Sequence, residues 1–328
     1  MKLNDEQLIV VTGGAGFIGS CTVKYLNDRG LCNIIVVDDL RKNEKWKNLV
    51  GKRFVDVLAK QQLFDWLQGR ETEVQAFIHL GACSDTVELD AAYLLENNYR
   101  YTLKLAEYAL KNGQRFIYAS SAATYGDGAE GFVDDEEQIF NLKPLNMYGF
   151  SKQLFDQWAY TAGVQDKLVG LKYFNVFGPN ELHKGRMASA ITRFVPQIQR
   201  GERVKLFKSS DQVQYGNGEQ KRDFIYVKDV VRMTCAFLEN EIGGLFNVGS
   251  GIASSWNDLA RAVYKAMGKE ADIEYIDMPV DLINKYQNYS RADMTKTSQA
   301  LKGLTQCMPL DESVSDYVRN YLIPGKTW

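Results

Sequence analysis

Apolar positions in the first half of the chain fall in short runs, separated by stretches in which apolar residues recur at helical spacing. Positions 8–11 form the first run and 33–37 the second, with a helical pattern over 16–29 between them. Positions 54–55 read as a short third strand. Positions 76–80 read as a fourth, with Val74 leading in, 115–119 as a fifth and 168–173 as a sixth. Helical patterns cover 90–112 and 146–162. Uninterrupted apolar runs of this length suit strands buried on both faces. Their alternation with helices predicts a parallel sheet covered on both sides.

Beyond Phe177 the pattern loosens. Helices are expected over 187–200, 229–239, 256–267 and 311–321, and short strands at 205–207 and 273–276. Positions 209–220 are polar and contain glycine, as a loop would. Two further apolar runs, 224–227 and 245–248, are candidates to return to the main sheet. Neither a repeat nor a long linker interrupts the chain, so the second half is expected to pack on the first.

The first turn adds chemistry to this outline. The strand ending at Val11-Thr12 runs into Gly13-x-x-Gly16-x-x-Gly19 and then a helix. The first glycine permits a tight turn, the second lets backbone approach a pyrophosphate, and the third lets helix and strand pack closely. Phosphate would rest on the positive end of the helix. The second strand ends in Asp38-Asp39, about twenty residues on, where a ribose-binding acid belongs. The expected fold is therefore α/β, a Rossmann-type doubly wound parallel sheet with a smaller C-terminal α/β substrate-binding domain. The division is placed at 1–175, plus returning segments near 224–250, for the dinucleotide-binding part, and at 176–328 for the remainder.

Composition narrows the classes of function. The chain has 328 residues, 45% hydrophobic and 24% charged, with a formal net charge of −2. That balance, without a basic run interleaved with aromatics, argues against nucleic acid as a partner. No apolar stretch nears the ~18 residues of a membrane span, and the polar start carries no signal-peptide pattern. The five cysteines, Cys21, Cys32, Cys83, Cys235 and Cys307, are odd in number and widely spaced. They fit reduced thiols in cytoplasm. With only two histidines, His79 and His183, no metal site is expected.

Tyr148-Gly149-Phe150-Ser151-Lys152 places a phenol and an ammonium four residues apart on a predicted helix, hence on one face. A cation beside a phenol favours the phenolate, which suits a tyrosine that exchanges protons with an alcohol. The run 116–119 feeds Ser120-Ser121, so hydroxyls stand at the carboxyl end of a parallel strand, where open α/β sheets bind ligands.

With Gly13-x-x-Gly16-x-x-Gly19, Ser121-Ala122, Tyr148-x-x-x-Lys152 and Arg222-Asp223-Phe224-Ile225-Tyr226-Val227 in that order, the chain resembles the extended short-chain dehydrogenase/reductases that act on nucleotide sugars. The resemblance covers nearly all of it. It implies catalytic roles for Ser121, Tyr148 and Lys152. It implies cofactor contacts from Gly13, Gly16, Phe17, Ile18, Gly19 and Asp38-Asp39, from Leu80-Gly81-Ala82-Cys83-Ser84, and from Asn97, Lys152, Val176 and Lys184. The stretch Phe174-Asn175-Val176-Phe177-Gly178-Pro179-Asn180-Glu181-x-His183-Lys184-Gly185-x-Met187-Ala188-Ser189 is similar to the branch that epimerises ADP-linked heptoses at C6. That likeness implies a second acid/base at Lys184 and substrate contacts from Asn175, Arg186, Phe207, Ser210, Arg222 and Tyr286. It also implies a homo-oligomer, a homopentamer. Arg186 and Arg193 depart from the branch's pattern, and 212–220 reads as an insertion.

Other readings remain open at this level. A UDP-hexose 4-epimerase would share the glycines, Ser121, Tyr148 and Lys152, but need not carry His183-Lys184-Gly185. A 4,6-dehydratase needs an Asp-Glu pair where Ala122-Ala123 stand. A non-catalytic NADP-binding regulator would tend to lack the tyrosine or the lysine. Asp38 favours the free ribose of NAD, because a carboxylate repels a 2′-phosphate. The resemblance implies NADP, through Lys45 and Lys60 on the adenine-side phosphate.

Overall fold

The structure, a computed structural model, describes residues 4–41, 43–279 and 286–328. Twelve strands are defined among them: β1 (Leu8–Thr12), β2 (Ile34–Asp38), β3 (Asp56–Ala59), β4 (Val74–His79), β5 (Arg115–Ser121), β6 (Leu168–Tyr173), β7 (Asn175–Phe177), β8 (Val204–Phe207), β9 (Lys221–Tyr226), β10 (Gly244–Val248), β11 (Ala253–Ser255) and β12 (Ile273–Ile276). Seven form one sheet in the order β10-β6-β5-β4-β1-β2-β3. Every pairing in it is parallel. The chain winds outward from β1 in one direction through β2 and β3, then in the other through β4, β5 and β6. The crevice beyond the carboxyl ends of β1 and β4 is therefore the switch point where doubly wound sheets bind ligands.

Alternate residues of these strands feed two separate cores. Ile9, Val11, Val36 and Ile78 pack on one face with Val23 and Leu26 of the Phe17–Asp28 helix. Leu8, Val10, Val37 and Phe77 pack on the other with Leu105 and Ala109 of the Tyr101–Lys111 helix. This two-sided burial is why the strands read as unbroken apolar runs. A third core gathers Phe177, Phe194, Leu206, Tyr226, Leu259 and Tyr317 against Phe17 and Cys21 of the glycine-loop helix. Around it lie a three-stranded sheet, β11-β9-β7, and a two-stranded one, β12-β8.

Several expectations are corrected. The third strand lies at Asp56–Ala59 rather than 54–55. It is an edge strand with only Leu58 fully buried, so it lacks an apolar run. Of the two segments expected to return to the main sheet, Gly244–Val248 pairs with β6. Lys221–Tyr226 instead pairs with β7 and β11. With β5 and β10 on its two sides, β6 has no free edge. The helix expected over 187–200 begins only at Ile191, after a 3-10 segment, Leu182–Met187. The helix expected over 90–112 is interrupted by a π-type turn, Leu95–Arg100. Such turns are frequent at functional sites, and this one carries Asn97 and Asn98.

Candidate active site

The glycine loop shows why its residues lack side chains. Gly13 has φ +66°, and a Cβ there would lie 2.7 Å from the Gly81 backbone nitrogen. A Cβ on Gly19 would lie 2.1 Å from the Gly13 carbonyl oxygen. The loop is thus pressed against β4's exit on one side and its own helix on the other. Beneath it, the buried His79 ring joins Thr12 Oγ1 at 2.6 Å to Thr102 Oγ1 at 2.8 Å. Thr12 Oγ1 in turn accepts the Gly81 N–H at 3.1 Å. Burial pushes the His79 pKa down to about 3, so the ring is a neutral strut.

A cavity of about 710 Å³ opens over this loop and is lined by Gly13, Gly16, Phe17, Ile18 and Gly19. Leu80, Gly81, Ala82, Cys83 and Ser84 form its second wall. Ser121, Tyr148, Lys152, Asn175, Val176 and Lys184 close the far end. An adjoining cavity of about 270 Å³ is lined by Asp38, Asp39, Lys45, Lys60 and Asn97. Residues drawn from across the sequence therefore share one crevice, at the switch point.

The smaller cavity has a defined charge arrangement. Asp38 is buried; its Oδ2 accepts the Ala15 N–H at 2.9 Å and its Oδ1 meets the Lys45 ammonium at 2.7 Å. Lys60 Nζ donates to Asn97 Oδ1 at 2.5 Å. One cation thus offsets the carboxylate, and a second stands across the cavity.

At the chemical end, Asn146 caps the Met147–Thr161 helix by accepting the Gly149 N–H at 2.8 Å. That helix presents Tyr148 and Lys152. Lys152 Nζ donates to the Ala119 carbonyl at 2.7 Å. Burial pushes its pKa down to about 8, with Asp156 opposing. The Tyr148 phenol departs from expectation. Burial pushes its pKa up and the neighbouring Ser121 hydroxyl opposes, while the Lys152 ammonium is turned to the Ala119 carbonyl. Ser120 is committed elsewhere, donating to Asp156 at 2.7 Å, which leaves Ser121 as the strand-end hydroxyl beside Tyr148. Lys184 lines the same cavity, its Nζ 5.6 Å from the centre of the Phe17 ring. Its pKa is pushed down by burial, against the pull of Glu181.

The expected substrate contacts divide. Asn175 and Arg186 line the large cavity. Arg186 is ion-paired with Asp85 at 2.8 Å, across the cavity mouth. Arg222, Phe207 and Tyr286 line neither cavity but form a separate cluster. The Arg222 guanidinium lies 5.0 Å from the Tyr286 ring centre and 5.9 Å from that of Trp256. Phe207 meets Tyr286 edge-on at 6.5 Å. Trp256 lines the large cavity and so joins the cluster to it. Ser210 is exposed and also lies outside both cavities. Sequence reasoning missed Asn98, whose amide both accepts from and donates to the Cys83 backbone, at 2.8 and 3.0 Å, and donates to Ser151 at 3.1 Å. It also missed Asp85. The Asn97-Asn98 doublet was the available signal for the first.

A glycine-cradled crevice faced by Tyr148, Lys152 and a strand-end serine defines a class of α/β enzymes that use a dinucleotide to work on an alcohol. The chain belongs to the NAD dependent epimerase/dehydratase family, whose pattern it matches over residues 9–249. It is 50% identical over 318 residues to an ADP-L-glycero-D-manno-heptose-6-epimerase of Nitratidesulfovibrio vulgaris, covering 96% of this chain and 98% of the relative. Its fold is similar to that of the Helicobacter pylori ADP-L-glycero-D-manno-heptose-6-epimerase, with a TM-score of 0.81 and 29% identity over 96% of each chain. A Thermus thermophilus UDP-glucose 4-epimerase in complex with NAD follows at TM-score 0.75 and 25% identity, over 98% of this chain and 100% of that one.

Proposed function

We infer that this chain is an isomerase that converts ADP-D-glycero-β-D-manno-heptose to its L-glycero epimer at C6 by transient oxidation, in the synthesis of lipopolysaccharide core precursor. The observation that carries the reading is Lys184 facing the same cavity as Tyr148, within a chain that matches heptose epimerases over nearly its full length. The fit to a nicotinamide dinucleotide rests on the glycine loop, which lines the cavity and packs so closely on neighbouring backbone that Gly13 and Gly19 have no room for a Cβ. Gly13, Gly16 and Gly19 would hold the pyrophosphate, Asp38 and Asp39 the adenine-side ribose, and Lys152 the ribose near the reacting end. When bound, the cofactor supplies reversible removal and return of hydride at one carbon.

The protein's own groups handle the proton and the inversion. One acid/base group takes the C6 hydroxyl proton as the alcohol becomes a ketone. The carbonyl then turns, so that the returned hydrogen arrives on its opposite face. Its oxygen now points away from the first group and needs a second donor. Lys184 and Tyr148 supply the two, the amine taking the proton and the phenol giving one, with Ser121 placing the oxygen at Tyr148. Proton NMR of the purified protein with ADP-D-glycero-β-D-manno-heptose, without added cofactor, is expected to show conversion. Epimerisation of UDP-galactose with no turnover of the heptose would overturn the reading.

The cofactor is NADP in this proposal. Lys45 neutralises Asp38, the group that would repel a 2′-phosphate, and Lys60 lines the same small cavity. A charge-assisted phosphate contact contributes about 1.5–3 kcal/mol. Lys45→Ala and Lys60→Ala are expected to weaken NADP far more than NAD in equilibrium binding; equal losses would exclude a 2′-phosphate role. We also propose the 1–175 and 176–328 division with the 244–248 return, a cytoplasmic homo-oligomer, and Arg222 with Tyr286, Phe207 and Ser210 as the nucleotide-side substrate contacts.

A further inference from the structure

The loop that presents Lys184 is held closed by one buried carboxylate. Glu181 is 1% exposed. Its Oε1 accepts the Gly178 N–H at 3.2 Å and the Ser189 hydroxyl at 2.7 Å, and its Oε2 accepts the Ser189 N–H at 2.6 Å. These bonds join the residue where the chain leaves β7 to Ser189, two residues before the Ile191–Gln199 helix. The loop between carries His183, Lys184 and Gly185, and the Lys184 N–H donates to the Glu181 carbonyl at 2.9 Å. All three side-chain partners of Glu181 are donors. An acceptor-only side chain is therefore required, since a glutamine would set its own NH₂ against one of them.

A buried carboxylate is costly unless hydrogen bonds and a nearby cation compensate it. Here both are present. Burial raises the Glu181 pKa, while the Ser189 and Gly178 bonds and the Lys184 charge lower it. The ionisable groups facing it are Lys184 on its own loop, Tyr317 on the Leu310–Tyr317 helix and Cys21 on the Phe17–Asp28 helix. Lys184 faces His183 as well. Among the described residues, Glu181 acts to keep Lys184 charged against its burial.

We propose that Glu181 is the positioning residue for Lys184, its carboxylate tying Gly178 to Ser189 and so fixing the shape of the loop that presents the lysine. This rests on the reading of Lys184 as an acid/base group. A misplacement of about 1 Å at a reacting group costs up to about 100-fold in rate. Glu181→Gln is therefore expected to lower kcat by about 10- to 100-fold with KM near the parent value, the signature of a loss felt at the transition state.

The second readout does not require turnover. Reductive methylation of Lys184 in the purified protein, followed against pH by peptide mass spectrometry, reports the fraction of free amine. Removing the carboxylate charge removes the influence that raises the lysine pKa, so the labelling midpoint is expected at lower pH in Glu181→Gln. Lys152 serves as the internal reference. Glu181→Asp keeps the charge and shortens the reach; its midpoint should stay near the parent's while kcat falls. It also provides the test if Glu181→Gln does not fold, and parent kcat in Glu181→Asp would then overturn the proposal. A Glu181→Gln protein with parent kcat and an unmoved midpoint overturns it directly. If Lys184→Met turns over at the parent rate while the Glu181→Gln midpoint shifts, the acid/base reading of Lys184 fails and the placement of the lysine by Glu181 stands.

Discussion

Tyr148→Phe and Lys184→Met are each expected to slow inversion at C6 by about 10²-fold or more, because each removes one of two proton-transfer partners. The environments of the two groups favour this division of labour. Burial pushes the tyrosine up and the lysine down, so each shift favours the uncharged form. An uncharged phenol can give a proton and an uncharged amine can take one. Two groups whose surroundings prepare opposite tasks are the usual mark of an acid/base pair. Cofactor retention and thermal unfolding should be near the parent's in both variants, which separates a chemical loss from a structural one. Lys152→Met should differ by also losing cofactor, since Lys152 is the group that would hold the ribose near the reacting end. A substrate analogue carrying an aldehyde at the reacting carbon gives the sharper test. Its dismutation needs no rotation, so either single variant should keep partial activity and the double variant should have almost none. Lys184→Met turning over at the parent rate would end the two-base reading.

What the sequence revealed follows from how locally each feature is encoded. β1, β2, β4 and β6 are buried on both faces and therefore read as apolar runs. β3 has one buried residue and no such run, so nothing in the apolar pattern marks its position at Asp56–Ala59. β7 and β11, with Asn175, Ser254 and Ser255 in three-residue strands, were invisible because pairing with β9, not composition, makes them strands. The site divides the same way. The glycine loop and the Tyr148–Lys152 spacing lie within single contiguous segments and could be read directly. The Asp85–Arg186 pair and the Thr12–His79–Thr102 strut join residues far apart in the chain, and only the folded sheet brings them together. The Tyr148 shift runs against its sequence spacing for a related reason. Spacing places Lys152 on the same helical face, but the Ala119 carbonyl of β5 takes its ammonium.

Lys172→Met is expected to destabilise the protein by about 3–5 kcal/mol, the cost of leaving a buried charge without its partner. Lys172 and Asp156 are both buried, 2.9 Å apart, beneath the chemical end of the sheet. Lys172 Nζ also donates to Thr124 Oγ1 at 2.7 Å and stands 5.0 Å from the Tyr125 ring centre. Asp156 further accepts from Tyr118 at 3.0 Å and Ser120 at 2.7 Å. Methionine fills much of the lysine's volume, so the loss isolates the charge rather than a cavity. The carboxylate would keep only neutral donors, and its anionic form would weigh more heavily on Lys152, one helical turn away. Replacing both partners, as Asp156→Asn with Lys172→Met, leaves no unpaired charge and should recover a substantial part of the loss. Urea unfolding of the parent, both single variants and the double variant closes a cycle that isolates the pair's coupling. If Lys172→Met unfolds within about 1 kcal/mol of the parent, the carboxylate has found water or a proton at little cost, and the pair is not what holds Ser120 and the end of β5 in place.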